Sequence, residues 1–272
     1  MKFAVSYSTP FQGMDPDKLV AFAQHAEACG FEGFYVPEHI ALYPGAMFGR
    51  MELPTTLPYG DPLDLLAFVA AATDRILLGT AVLLLPYHHP VVLAKRLATI
   101  DVLSKGRMRL LTVGLGSLAG EAAAAGVDFA SRGRRTDEAI DILRLLWSGD
   151  ADGVSYSGEF YRFENLTSFP HPLAPLPIHI GGSSRAAARR AAHRGDGYFP
   201  GGALSPEERA AQWDLIRTTS ARDNLDYTRW APTDLTPQTV EAFETQGVTR
   251  LVVNPATLDD LSAFAERLAL TP

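Results

Sequence analysis

The chain has 272 residues, enough for one large domain or two small ones, and its 47% apolar and 20% charged residues supply a sizeable core. With 24 basic and 31 acidic residues the net charge is −7, which argues against a sequence-independent grip on nucleic acid or on an anionic membrane. Cys29 is the only cysteine, so an intrachain disulfide and a cysteine zinc cluster are both excluded. The opening "MKFAVSYSTP" lacks the long apolar run of a signal peptide, and no segment reaches the roughly 18 apolar residues of a membrane span. The expected address is the cytoplasm.

Short β-rich runs alternate with helical patterns along the chain. "KFAVSY", residues 2–7, is the first expected strand. The helix after it takes Asp15 as cap, Pro16 at its first position and Gly30 at its close, with Leu19, Phe22, Ala23, Ala26 and Cys29 on one face. "GFYV" is the second strand, followed by a long segment without periodicity up to Asp61. Next come the helix "DPLDLLAFVAAAT", the strand "ILLGTAVLLL", the helix "PVVLAKRLATIDVLS" and the strand "RMRLLTV". A short helix at 118–125 precedes a long one from Thr136 to Trp147, and "GVSYSGEFYRFE" is an inserted hairpin. The alternation resumes with "PIHIGG", "SRAAARRAAHRG" and "GYFPGG", then a helix at about 206–222. "DYTRWAP", "TPQTVEAFETQG", "VTRLVVNP" and "LDDLSAFAERL" complete it. Eight strands, each followed by a helix, predict an α/β fold: a (β/α)8 TIM barrel with a small inserted hairpin, one domain over 1–272. An open doubly wound sheet is the alternative.

In such a barrel chemistry gathers where strands end and βα loops begin. Glu38 and His39 stand at the end of the second strand, where a carboxylate beside an imidazole can orient it for proton transfer. The competing reading is a surface pair or a cap. Residues 178–192, "IHIGGSSRAAARRAA", end a strand in Gly181-Gly182 and open a helix at Ser183-Ser184. Glycines admit a phosphate to the backbone, and free N–H groups with the helix dipole favour the anion. The hydroxyls add donors, and Arg185 is placed to meet a longer anionic tail. The competing reading is that the serines only cap the helix. Gly79 and Thr80 sit inside the third strand, and His88 and His89 follow it, pointing different ways and making poor paired ligands. "VGLGSLAG", residues 113–120, resembles a nucleotide loop but lacks the acidic residue expected further on. No His-Glu-x-x-His or Gly-x-Ser-x-Gly motif occurs, and no metal site is expected.

Four segments in order, "GFYVPEH", residues 61–116, "RTDEAIDILRLLW" and "PIHIGGSSRAAARRAAHRGDGYFP", resemble the luciferase-like monooxygenase superfamily. Within it the chain looks most like the actinobacterial coenzyme F420-dependent oxidoreductases. The resemblance implies a cis peptide at Ala81–Val82 behind a tricyclic ring, His39 as proton-transfer residue with Glu38 as its neighbour, and a phosphate grip at Gly181, Gly182, Ser183 and Ser184. Gly114 joins Arg185 at the expected cofactor site, and Tyr7, Arg50 and Tyr87 are the expected substrate residues. The loop after His39 is this chain's own; its Arg50 either receives an acidic substrate or is solvated, and Phe11, Leu42, Phe48 and Tyr87 are either an apolar lining or core. The implied cofactor is coenzyme F420, with FMN and oxygen-dependent monooxygenation as the alternative, and the implied assembly is a homodimer. Two departures stand out: no tryptophan closely follows His39, and Ser117 replaces the glutamate found just beyond strand four in the sugar-phosphate dehydrogenases of the family. A non-catalytic flavin-binding barrel and a metal-dependent barrel hydrolase or isomerase are the alternatives from other classes.

Overall fold

The computed structural model describes residues 1–202 and 204–271. Among them the elements run β1 (Lys2–Ser6), α1 (Thr9–Gln12), α2 (Pro16–Ala28), β2 (Gly33–Val36), β3 (Met47–Phe48), β4 (Met51–Glu52), α3 (Pro62–Ala72) and β5 (Leu77–Leu84). Then follow α4 (Pro90–Leu103), β6 (Met108–Gly114), α5 (Ala119–Ala124), α6 (Arg132–Ser148), β7 (Val154–Ser157) and β8 (Arg162–Leu166). The last part holds β9 (Ile178–Gly181), α7 (Arg185–Arg194), β10 (Gly197–Phe199), α8 (Pro206–Thr219), β11 (Asp226–Trp230), α9 (Pro237–Thr245), β12 (Arg250–Val253) and α10 (Leu258–Arg267). Eight parallel strands close into a barrel in the order β1-β12-β11-β10-β9-β6-β5-β2, as the strand count predicts. β7 and β8 form the expected inserted hairpin.

The apolar runs are buried on both faces, as parallel strands require: all four residues of β2, β9 and β12 are buried. One face of each strand packs outward on the helices, through residues such as Val5, Phe34, Val113, Ile180 and Val253. The other face fills the barrel lumen with Ala4, Tyr35, Leu110, Phe199 and Val252. Helix starts follow the caps in the sequence. Asp15 accepts from the Asp17 and Lys18 amides, and Asp61 from those of Leu63 and Asp64.

The lower lumen is polar. Arg250, 1% exposed, donates to Glu32 at 2.7 Å and to Asp226 at 3.1 Å. His179 stands beside them with Nε2 3.7 Å from Asp226. Burial pushes the His179 imidazole down to about 4, so it is neutral at pH 7.

Two segments differ from expectation. The stretch between β2 and α3 carries its own hairpin, β3–β4, and a small core in which Ala46 and Leu53 pack with Leu118, flanked by Leu42, Tyr43 and Leu57. A strand of two residues is too short to show a period. α6 begins at Arg132, earlier than Thr136, because its first turn is arginine-rich and carries no apolar signal. Those arginines cover the inserted hairpin: Arg134 pairs with Glu159, and Arg135 lies over the Phe160 ring.

Candidate active site

All eight barrel strands run the same way, so the loops after β2, β5, β6 and β9 open at one mouth. Register links them: Val36 lies beside Thr80, Leu83 beside Val113, and Val113 beside Ile180. His39 and the Gly181–Arg185 turn therefore face the same end of the barrel.

The two neighbours at the end of β2 part company. Glu38, 6% exposed, accepts from the Leu84 amide at 2.5 Å and sits 2.8 Å from His88 Nε2. It ties the start of its own loop to the end of β5 and does not touch His39, which corrects the expected Glu38–His39 partnership. Adjacent residues leaving a strand point apart, and each found its partner elsewhere. The carboxylate beside His39 comes from Glu121 of α5, fully buried, with Oε2 3.2 Å from His39 Nδ1. Glu121 Oε1 also accepts from the Ile40 amide at 2.6 Å. The Tyr59 ring meets the imidazole edge-on at 4.8 Å. Burial and the Glu121 charge push the Tyr59 hydroxyl up, and burial with the same charge acts on Tyr87. Glu121 lies four residues past Ser117, so the acid absent from that place returns one helical turn later. Its sequence signal is faint: a lone acid among alanines, with no opposite charge one turn away.

The Ala81–Val82 peptide is cis. Val82 projects its methyls between two glycines: a Cβ on Gly114 would lie 2.5 Å from Val82 Cγ2, and one on Gly181 would lie 2.5 Å from Val82 Cγ1. These glycines make room for a valine, and the amides without a partner begin at Ser183.

There the geometry fits an anion. The Ser183 carbonyl is tied back by Gln212 Nε2, which donates to it at 2.9 Å. Gln212 is itself held by the Tyr198 hydroxyl, whose one hydrogen lies between Gln212 Oε1 at 2.5 Å and the Gly182 oxygen at 3.0 Å. Among the described residues no group accepts from the Ser183, Ser184, Arg185 or Ala186 amides. Ser184 Oγ accepts from the Ala187 amide at 3.1 Å, so its cap role and a donor role through its hydrogen coexist. Gly202 lies over Ser183, where a Cβ would come within 3.2 Å of Ser183 Oγ. Arg185 is exposed and makes no side-chain hydrogen bond or ion pair among the described residues. These groups could hold a phosphate without displacing any existing bond.

The expected substrate residues divide. Tyr7 is 1% exposed, donates to the Gly13 oxygen at 3.1 Å and packs on Phe22 and Phe34, so it belongs to the core rather than to an open site. Arg50 sits exposed at the tip of the β3–β4 hairpin. Phe11 on α1 and Phe48 on β3 are exposed, at 76% and 63%, whereas Leu42 joins the small core of the β2–α3 stretch. The Tyr87 hydroxyl is buried over Gly116 without a partner among the described residues. Trp230 at the end of β11 packs on Phe199. A cavity of about 690 Å³ runs along α8 between Trp213 and Gln246, and one of about 740 Å³ lies between Trp147 and Asp196 at the end where segments lead into strands. Neither is lined by His39. Among the described residues no three His, Cys, Asp or Glu side chains cluster as metal ligands, and no helix is long and apolar enough to cross a membrane.

A parallel barrel with a histidine–carboxylate pair and an anion-ready turn at one mouth defines the class as a cofactor-dependent barrel enzyme. The chain belongs to the luciferase-like monooxygenase family, whose model matches residues 1–235, and members of that family are F420- or FMN-dependent oxidoreductases and monooxygenases. It is 31% identical over 205 residues to an F420-dependent glucose-6-phosphate dehydrogenase of Microbacterium testaceum, covering 74% of this chain and 57% of that one. It is 37% identical over 215 residues to an FMNH2-dependent dimethylsulfone monooxygenase of Pseudomonas fluorescens, covering 78% and 54%. The chain thus spans little more than half the length of these two relatives. The fold superposes on a structure of an F420-dependent secondary alcohol dehydrogenase with a TM-score of 0.79, at 16% identity and with full coverage of both chains.

Proposed function

We propose that the protein is a coenzyme F420-dependent oxidoreductase that transfers a hydride between the deazaflavin and a small organic substrate, with His39 moving the accompanying proton. The observation that carries this reading is the pairing, at one mouth, of the free amides at 183–186 with the buried Glu121–His39 contact. The amides, Ser183 Oγ and Arg185 would hold the cofactor's phosphate and anionic tail, and Val82, seated between Gly114 and Gly181, would meet its ring. Bound deazaflavin supplies the hydride chemistry; the protein binds, orients and supplies the proton. The same reading takes the chain as a single domain acting in the cytoplasm as a homodimer, with substrate selected by the loop that carries Phe48, Arg50 and Tyr59.

A second reading, monooxygenation with reduced FMN and oxygen, is supported by the identity to the dimethylsulfone enzyme. His39→Ala tests the catalytic reading against a non-catalytic carrier. Turnover over a panel of alcohols, ketones and enones, followed by deazaflavin absorbance, should fall by about 100- to 10,000-fold while the cofactor stays bound. A variant as active as the parent, or a parent with no turnover of any kind, contradicts it.

A further inference from the structure

The Glu121 side chain does two jobs with two oxygens. Oε1 accepts from the Ile40 amide at 2.6 Å and, more weakly, from the Ala41 amide at 3.4 Å. Oε2 accepts from no backbone amide and lies 3.2 Å from His39 Nδ1, with Oε1 also within 3.3 Å of that nitrogen, and the side chain has no exposed surface. An ionised carboxylate only accepts, so a ring nitrogen facing it must bring the hydrogen. The neutral imidazole then carries its proton on Nδ1 and its lone pair on Nε2. Among the described residues Nε2 has no hydrogen-bond partner, and the edge of Tyr59 restricts ring rotation. Glu38, the other nearby carboxylate, is committed to His88 and the Leu84 amide.

We propose that Glu121 is the positioning residue of the site: it holds the His39 proton on Nδ1 and leaves Nε2 as the atom that takes a proton from the substrate or returns one to it. The Nε2 role rests on the proposed function, whereas the tautomer does not. The competing explanation, that Glu121 only caps the Ile40–Ala41 backbone, needs no particular tautomer at His39.

Glu121→Gln separates the two. Gln keeps an oxygen for the short Ile40 bond and sets its NH2 at the Oε2 position, 3.2 Å from His39 Nδ1 against 3.3 Å for the retained oxygen. An NH2 facing Nδ1 demands a lone pair there, so the imidazole proton must move to Nε2. Long-range nitrogen–proton correlation spectra of the labelled, ligand-free protein at about pH 8 report the tautomer. The chain has seven histidines, and the His39 signal is assigned by its loss in His39→Gln. The parent should show Nδ1–H and the Gln variant Nε2–H, with kcat reduced about 100-fold or more and cofactor affinity unchanged. Nε2–H in the parent, Nδ1–H retained in the variant, or an unchanged kcat would each overturn the proposal. If Glu121→Gln does not fold, the parent's tautomer alone decides. The expected tautomers together with failure to bind either cofactor would remove the proposed function and leave the positioning standing.

Discussion

Replacing Gly181 with Ala puts a methyl where Val82 already sits. The new Cβ would lie 2.5 Å from Val82 Cγ1, 3.2 Å from the Val113 oxygen and 3.5 Å from Thr112 Cγ2. Carbon atoms rest at about 3.5–4.0 Å, so Val82 must retreat by about 1 Å. Retreat toward Gly114 is blocked, because a Cβ there would be only 2.5 Å from Val82 Cγ2, so the half-buried valine can shift only toward the mouth. Overpacking of this kind costs about 1–3 kcal/mol, and in a chain of this size each kcal/mol lowers Tm by about 2–4 °C. Thermal and denaturant unfolding of Gly181→Ala, Val82→Ala and the double variant form a cycle. Val82→Ala removes the obstructing methyls, so the double variant should recover most of the loss, with a coupling of about 1–2 kcal/mol. Two results would refute the reasoning: a Gly181→Ala protein as stable as the parent, or strict additivity in the cycle. A third outcome, lost cofactor binding at unchanged Tm, would show that Gly181 faces the phosphate itself.

Three further expectations follow from the same contacts. His179 is held neutral in the folded chain down to about pH 4 but takes a proton near its ordinary value of about 6.5 when unfolded. Its contribution is therefore complete above about pH 6.5 and is lost as pH falls toward about 4, by up to roughly 3 kcal/mol. Urea midpoints at several pH values should show this slope, and His179→Leu should flatten it. Asp226, lowered against burial by Arg250 and His179, adds a separate loss only as pH falls through its own depressed range. Arg250→Met leaves the half-buried carboxylates of Glu32 and Asp226 without their cation and should cost about 1–3 kcal/mol in chemical denaturation. A loss near zero would mean that solvent replaces the arginine fully at those carboxylates. Gln212→Ala frees the Ser183 carbonyl and should weaken phosphate-bearing cofactors about 5- to 10-fold in equilibrium titration, in line with one lost hydrogen bond. Equal affinity would show that the turn needs no such restraint.

The barrel was legible because its signals are local. Strands buried on both faces appear as apolar runs such as "GFYV" and "RLVV", and Asp-Pro pairs at 15–16 and 61–62 announce helix starts. The mouth was legible in part: His39 and the Gly182–Arg185 turn stand out by their place after strands. Their partners do not. Glu121 is 82 residues from His39, and His88 is 50 from Glu38, so no spacing rule joins them. Gly114 and Gly181 have no side chain, and only the packed structure shows that Val82 is what fills the space. Tyr7 fails as a site residue for a similar reason. Its hydroxyl has a partner six residues on, and its ring is one of several aromatics filling the core beneath α2.

The central claim is that the mouth holds a phosphate-bearing deazaflavin beside His39. Titration of the purified protein with oxidised coenzyme F420 and, separately, with FMN, each followed by absorbance, tests it most directly. Saturable binding of F420 to one site per chain, tighter than FMN and weakened by Gln212→Ala, is the expected result. Tighter FMN binding with oxygen consumption on reduction, or no binding of either, would contradict it.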